Sequence, residues 1–370
     1  MIYFDSAATT LQKPPEVFRA VQSAMHRAAS VGRGGHAAAQ TAAKLVFDCR
    51  VLAGELFDAD AEQVVFTMNA THGLNIAIRS IVPEGGHVVI SGFEHNAVTR
   101  PLRALNAEVR LAGTQLFSPA DTLDSFQQAL REKTDAVVCT QVSNVFGYIL
   151  PMAEIAALCR ERNVPLIIDA SQAAGTLPVS LRETGARFIA MPGHKGLYGP
   201  QGTGILLCGE EGAPLLYGGT GSNSAEQEMP DFLPDRLEAG THNVCGIAGL
   251  AAGLRYVKRQ KPHNILRHEQ HLARLFQEQL RTLTRIRPFF GAPQSGVVSF
   301  TVDGMDCEEA AERLAQHNVA VRAGLHCAPT AHQSAGTMDS GTVRVSFSAF
   351  NTLQEVQRVA LLCKKLFASA

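Results

Sequence analysis

Tryptophan is absent, which leaves intrinsic fluorescence to tyrosine or to a bound chromophore. No apolar run approaches the roughly 18 residues that a membrane helix needs. The start, Met1-Ile2-Tyr3-Phe4-Asp5, has no basic stretch ahead of an apolar one, so no signal peptide is expected. Charge is balanced at a net −1, which gives no field for nucleic acid or an anionic membrane; neither is expected as a partner. The eight cysteines form no Cys-x-x-Cys pair and no metal-type cluster, so no metal is expected. Most lie in apolar segments and read as small core residues of a reducing, cytoplasmic setting. What is present is an ordinary globular composition, 46% hydrophobic and 18% charged over 370 residues. That length suggests two domains, or one large and one smaller.

Apolar runs and helical stripes alternate from residue 64 to about 208. Strands are expected at 64–67, 87–91, 108–111, 136–142, 165–169, 188–190 and 204–207, with helices between several of them. This order predicts a mostly parallel sheet covered on both faces. Residues 209–235, rich in Gly, Pro, Ser and acid, read as a long loop. Helical stretches at 245–260 and 264–283 follow. Strands at 297–302, 319–322 and 343–347, with helices at 306–317 and 352–367, make a smaller α+β unit. The segment from Thr330 to Gly341 reads as flexible. The expected division is a large domain over 13–245 and a small one from 1–12 with 246–370.

Several chemistry-bearing residues fall at the ends of these strands. Met191-Pro192-Gly193-His194-Lys195-Gly196-Leu197-Tyr198-Gly199-Pro200 is a glycine-rich turn between two strands. Its lysine is either a surface cation or an amine that is aimed and made to lose its proton. Met68-Asn69-Ala70-Thr71-His72-Gly73 joins a strand to a helix, as a phosphate site or as a plain connector. His95 stands at a strand's C-terminal end, where ligands collect in open α/β sheets, or else caps the next helix. Asp169 ends an apolar strand, with Gln172 close behind. A carboxylate there needs a partner: a metal, a basic side chain, a protonated ring nitrogen or a helix N-terminus. Cys327 is the one cysteine outside an apolar run. It has His326 beside it and Arg322 nearby, and is either a reactive thiolate or a loop residue of no consequence.

Together these are the parts of a pyridoxal 5'-phosphate enzyme: a lysine for the Schiff base, a carboxylate for the pyridine nitrogen, a helix N-terminus for the phosphate. The chain resembles the class V aminotransferase-fold enzymes, specifically the cysteine desulfurase and selenocysteine lyase group. The motifs that carry this are Tyr3-Phe4-Asp5-Ser6-Ala7-Ala8-Thr9-Thr10, Glu94-His95, Ser143-Asn144-Val145-x-Gly147, Asp169-Ala-Ser-Gln172, Gly193-His194-Lys195, Glu238-Ala239-Gly240-Thr241 and Arg322-Ala-Gly-x-His-Cys327. The compact last motif is similar to the type II branch.

The resemblance implies an α/β chain of pyridoxal-phosphate fold type I. Lys195 would hold the cofactor and shuttle protons, and His95 would stack on the ring and serve acid–base steps. Asp169 would pair with the pyridine nitrogen and Gln172 with the phenolic oxygen. The Ala70-Thr71 turn and His194 would take the phosphate, and Thr241 would reach the phosphate of a neighbouring subunit in a homodimer. Arg344 and Asn144, with Arg322 close by, would grip the substrate carboxylate. Cys327 would take sulfur from L-cysteine, leave alanine, and pass the sulfur to an acceptor protein for iron–sulfur cluster assembly. A selenocysteine lyase is the nearest alternative, since selenium leaves with less help from Cys327. Other class V lyase or transaminase reactions, and a catalytically idle partner-binding scaffold, stand further off. Pro192, the extra Gly196, Ala70, His72, His242 and Leu325 depart from the family pattern. They place the difference from relatives in the phosphate grip and the backbone path around Lys195.

Overall fold

The computed structural model describes residues 1–32 and 34–367. In chain order the strands are β1 (Ile2–Tyr3), β2 (Val64–Thr67), β3 (His87–Ser91), β4 (Glu108–Ala112), β5 (Ala136–Thr140), β6 (Leu166–Asp169), β7 (Phe188–Pro192), β8 (Gly204–Cys208), β9 (Ile286–Phe289), β10 (Val297–Val302), β11 (Val319–Ala320), β12 (Arg322–Gly324) and β13 (Thr342–Ser346). The helices are α1 (Pro15–Arg27), α2 (Ala37–Phe57), α3 (Ala70–Ile81), α4 (Asn96–Ala104), α5 (Pro119–Ala129), α6 (Met152–Glu161), α7 (Leu181–Thr184), α8 (Val244–Gln260), α9 (Pro262–Leu280), α10 (Cys307–Ala315), α11 (Pro329–Ala335) and α12 (Leu353–Phe367).

Seven strands form one sheet in the order β2-β8-β7-β6-β5-β3-β4. All neighbours from β4 across to β7 are parallel, and β8 runs antiparallel to both β7 and β2. Every residue of β5 is buried, and its side chains alternate between two cores. Val137 and Cys139 face one with Phe126 and Ile155; Ala136 and Val138 face the other with Leu74 and Val98. Period-2 alternation between two apolar layers is the signature of a sheet covered on both faces, as the sequence predicts. The parallel strands all deliver their carboxyl ends to one edge, so the turns after β3, β5, β6 and β7 converge there.

The second sheet, β12-β13-β10-β9, is antiparallel. Its inner face packs with α9, α10 and α12 around Phe276, Phe300 and Phe367, all fully buried. Truncating Phe300 to alanine would cost about 3–5 kcal/mol through lost burial and the cavity left behind. The N-terminal segment ties this layer to the cleft. β1 pairs with β11, Phe4 enters the same core, and Asp5 bridges to Ser346.

The segment read as flexible, Thr330 to Gly341, instead opens on helix α11. Pro329 starts the helix, where its missing N–H costs nothing, and Gly336 ends it at φ 67°. Ala331 and His332 are buried, Thr330 Oγ1 donates to Glu94 O at 3.0 Å, and Ser334 Oγ donates to Gly92 O at 2.9 Å. Small polar residues read as a loop, but these side chains pin the segment onto the β3–α4 corner. No helix or strand interrupts 209–234 among the described residues, in keeping with the long loop expected there. No helix is long and apolar enough to cross a membrane among those residues.

Candidate active site

At the carboxyl edge of the large sheet lies a cleft of about 220 Å³. Its wall includes Ala70, Thr71, His95, Asn144, Asp169, Gln172, His194, Lys195, Arg322, Cys327 and Arg344. The structure thus brings together every residue singled out from the sequence except Thr241. That residue is exposed on the loop before α8 and lines a different hollow with Met68 and Leu216.

Lys195 follows β7 in the glycine-rich turn. Burial lowers its ammonium from the usual 10.5 to about 8, and the nearby Asp169 carboxylate only partly offsets that. Among the described residues its amine has no ion-pair partner within salt-bridge distance, so a useful fraction is free amine near neutral pH. The expected departure at Gly196 has a steric origin: a Cβ there would sit 2.3 Å from Ala174 O. Two backbone segments cross at this point, and only glycine allows it.

Asp169 ends β6 and is 3% exposed. Its Oδ1 accepts from the Ser171 amide at 2.9 Å, while Oδ2 has no hydrogen bond among the described residues. A buried carboxylate with one oxygen capped and the other free suits a cationic N–H donor. Gln172 Nε2 already donates to Ala7 O at 2.9 Å, which fixes the amide at the wall and leaves its second hydrogen.

His95 combines both readings open in the sequence. It is the N-cap of α4, its Nδ1 accepting from the Ala97 amide at 3.0 Å, and it lines the cleft. Since Nδ1 accepts, the ring proton sits on Nε2. Burial, outweighing the pull of Asp169, holds the imidazole down at about 4, so it is neutral at working pH. His194 is likewise held to about 4, first by burial and then by Lys195 and Lys13. Its Nδ1 lies 3.0 Å from Thr9 Oγ1.

The turn from β2 into α3 has Asn69 as N-cap, its side chain accepting from the His72 amide at 2.9 Å. The amides of Ala70 and Thr71 precede the first intrahelical bond and have no partner among the described residues, and both residues line the cleft. These donors, the free Asp169 oxygen and the unpaired Lys195 amine fit the phosphate, ring nitrogen and aldehyde of pyridoxal phosphate.

Arg344, in β13, is 2% exposed. One terminal nitrogen is 2.8 Å from Asp5 Oδ1, the other donates to Asn144 O at 3.1 Å, and the sealed Nε has no partner among the described residues. Arg322 stands directly across the ladder on β12, exposed. Asn144 Nδ2 donates to His326 O at 2.9 Å, tying the cleft wall to the Cys327 loop. Cys327 is exposed, and both it and His326 adopt left-handed backbone, at φ 56° and 49°. Two such non-glycine residues in succession are held by bonds around them: Cys327 O accepts from the Asn96 amide at 2.7 Å, and His326 Nε2 lies 3.1 Å from Thr342 O.

Asp5 is the site residue that sequence reasoning left without a role, although it stands inside a quoted motif. The signal was Arg344 itself, because an arginine in an apolar strand requires an acid. Glu94 is a second. It is fully buried, accepts from Ser91 Oγ and the Thr140 amide, and burial pushes it up to about 8.

The sequence model of the class-V aminotransferases matches residues 2–359. The chain belongs to that family. Class-V aminotransferases are pyridoxal-phosphate dependent, and the two-sheet architecture is that of fold type I. A protein named cysteine desulfurase from Escherichia coli O157:H7 is 32% identical, over 97% of this chain and 91% of its own. The apo structure of a cysteine desulfurase from Thermococcus onnurineus superposes with a TM-score of 0.91 at 30% identity, covering 99% of this chain and 94% of that one. A cysteine desulfurase from Escherichia coli, determined as its S-sulfonic acid, gives 0.86 at 25% identity, over 98% and 94%.

Proposed function

We propose that this class-V enzyme is a cysteine desulfurase that converts L-cysteine to L-alanine and takes the sulfur onto Cys327. The observation that carries the reading is the exposed Cys327 thiol on the rim of the cleft that also holds the unpaired Lys195 amine. Transamination needs no such thiol, and an idle scaffold needs no lysine so prepared.

When bound, pyridoxal phosphate supplies an electron sink for the amino acid's α-carbon. Asp169 Oδ2 holds the ring nitrogen, Gln172 the phenolic oxygen, and the amides of Ala70 and Thr71, the Thr71 hydroxyl and His194 the phosphate. Arg344 and Asn144, both of which line the cleft, orient the substrate carboxylate, with Arg322 as a second cation at the mouth. Lys195 Nζ anchors the cofactor and then moves the proton at the α-carbon. His95, neutral over the working range, would cover the ring and offer its Nε2–H as a hydrogen-bond donor at the cleft's side. Cys327 Sγ accepts the sulfur as a persulfide and carries it out to an acceptor protein, which suits iron–sulfur cluster assembly in the cytoplasm. The active unit is a homodimer in which Thr241 completes the phosphate site of a second copy. Its place outside its own cleft, beside the exposed Met68 and Leu216, supports this.

The test measures alanine and chalcogen release side by side from cysteine and selenocysteine. Cys327→Ala abolishes sulfide release and spares selenide release. Equal loss on both substrates, or none on either, rejects the sulfur-acceptor role.

A further inference from the structure

Lys13 stands just ahead of helix α1, outside the cleft wall, and the sequence alone gives it no role. Pro14 and Pro15 follow it; they confine its backbone to the extended region and open the helix. The side chain is half-buried against the Lys195 turn. Its Nζ donates to Thr10 Oγ1 at 2.6 Å and to His194 O at 3.1 Å, and no acid lies within salt-bridge distance among the described residues. Burial lowers the ammonium from the usual 10.5 to about 8, so it stays charged at neutral pH. The carbonyl it holds is the one directly before Lys195. That carbonyl also takes the Thr10 amide at 3.1 Å and the Thr10 hydroxyl at 3.0 Å. These donors already crowd its two lone pairs, so the Thr9 hydroxyl, 3.2 Å from the carbonyl and 3.0 Å from His194 Nδ1, donates to the ring. The ring proton then sits on Nε2, which has no partner among the described residues.

The groups assigned to phosphate above are all neutral: the amides of Ala70 and Thr71, the Thr71 hydroxyl, and His194, which is held to about 4. Pro192, on the same wall, has no N–H to add. The charges that act on His194 are those of Lys195 and Lys13. Arg344 and Arg322 act instead on Lys195 and His95. Lys195 is committed to the aldehyde, which leaves Lys13. We propose that Lys13 is a positioning residue for the cofactor phosphate: it pins the His194 carbonyl, keeps the ring presenting Nε2–H, and supplies from behind the positive charge that stabilises a phosphate dianion. The inference rests on the placement of the phosphate at Thr71 and His194 proposed above. Lys13 touches neither substrate nor cofactor and acts through His194.

The test compares pyridoxal phosphate with pyridoxal, which carries the same aldehyde and no phosphate, by titrating the visible band that each gives with wild type and variants. Lys13→Met lowers affinity for pyridoxal phosphate roughly tenfold, the effect of one unit charge across a partly screened interior, and leaves affinity for pyridoxal within about twofold. Lys13→Arg restores the charge and most of the preference for the phosphorylated ligand. Lys13→Gln keeps a donor for the carbonyl without the charge and behaves like Lys13→Met. A preference retained in Lys13→Met or in Lys13→Gln overturns the proposal. So does an equal loss on both ligands, which is what a purely structural lysine gives. Should Lys13→Met fail to fold, as judged by far-ultraviolet circular dichroism, Lys13→Gln carries the same two readouts. If the phosphate placement itself is at fault, Thr71→Ala and His194→Ala leave the preference intact. If only the role of Lys13 is at fault, those two variants lose the preference and Lys13→Met keeps it.

Discussion

Replacing Asp5 by asparagine removes the counter-charge of a guanidinium that has no access to water. Arg344 is 2% exposed, and burial is the largest influence on it, lowering its affinity for a proton; Asp5 opposes that effect. Breaking a fully buried pair from one side costs about 3–5 kcal/mol. The Asp5 side chain is 19% exposed and water compensates part of the loss, so about 2–3 kcal/mol is expected here. At about 2.1 cal/mol/K per residue, the 370 residues unfold with about 0.8 kcal/mol/K. A loss of that size lowers Tm by about 3–4 °C. The decisive measurement adds a ligand. Alanine carries the carboxylate that Arg344 is proposed to hold. In the wild type that charge is already met by Asp5, whereas in Asp5→Asn the ligand supplies the missing anion. Saturating alanine therefore raises Tm more in the variant than in the wild type when both are loaded with pyridoxal phosphate. Equal ligand-induced shifts would refute the assignment of Arg344 to the substrate carboxylate, and an unchanged Tm without ligand would refute the buried-pair energetics.

Three further outcomes follow from the same site. Lys195→Ala, incubated with pyridoxal phosphate and desalted, shows no visible band characteristic of a lysine-linked cofactor, while its far-ultraviolet circular dichroism matches wild type; a persistent band contradicts the anchoring role. Arg322→Ala, which leaves the Asp5–Arg344 pair in place, raises KM for cysteine several-fold with a smaller change in kcat; an unchanged KM removes Arg322 from substrate binding. Acid stability is governed by buried imidazoles: His95, His194 and His332 are held down to about 4 and His326 to about 2, in each case first by burial. Between those values and the unfolded 6.5 the unfolded chain binds more protons, so stability rises with pH across that window and falls as pH drops through it. His332→Gln removes up to one proton from that difference. It flattens the dependence of unfolding free energy between pH 6 and 4.5 by up to about 1.4 kcal/mol per unit, measured by urea denaturation; an unchanged slope contradicts the burial argument.

The large sheet was legible because its strands, the exposed edge strand Glu108–Ala112 apart, are short apolar runs with an immediate stop. Val64–Thr67 and His87–Ser91 agree with the expected bounds to the residue. Helices defined by an apolar stripe were equally plain, as in Ala37–Phe57. Elements whose order comes from tertiary bonds were not. Asn96–Ala104 contains Pro101, and its start depends on the His95 side chain as cap. Helix α11 is seven residues long and is held by Thr330 and Ser334 bonding to the β3–α4 corner, more than 230 positions away in the chain. No local pattern encodes a partner at that distance.

The cleft divides along the same line. Residues that must present a reactive atom, Lys195, Asp169, His95 and Cys327, stand at strand ends or in strained loops, and local sequence marks such places. Residues that act by meeting another's charge or hydrogen bond are invisible until the pair is seen. Asp5 is ordinary until Arg344 is placed 2.8 Å away, and Glu94 is one more acid until Ser91 and the Thr140 amide are found bonded to it. The two buried cations of the cleft are treated differently. Asp5 fixes Arg344 by opposite charge, which spends much of the guanidinium's attraction before substrate arrives. Lys195 has no acid within salt-bridge distance among the described residues, which keeps its amine reactive. The cleft thus restrains the group that binds a carboxylate and frees the group that must react. A buried arginine without its acid would threaten the fold, whereas a buried lysine can shed its proton and remain there neutral.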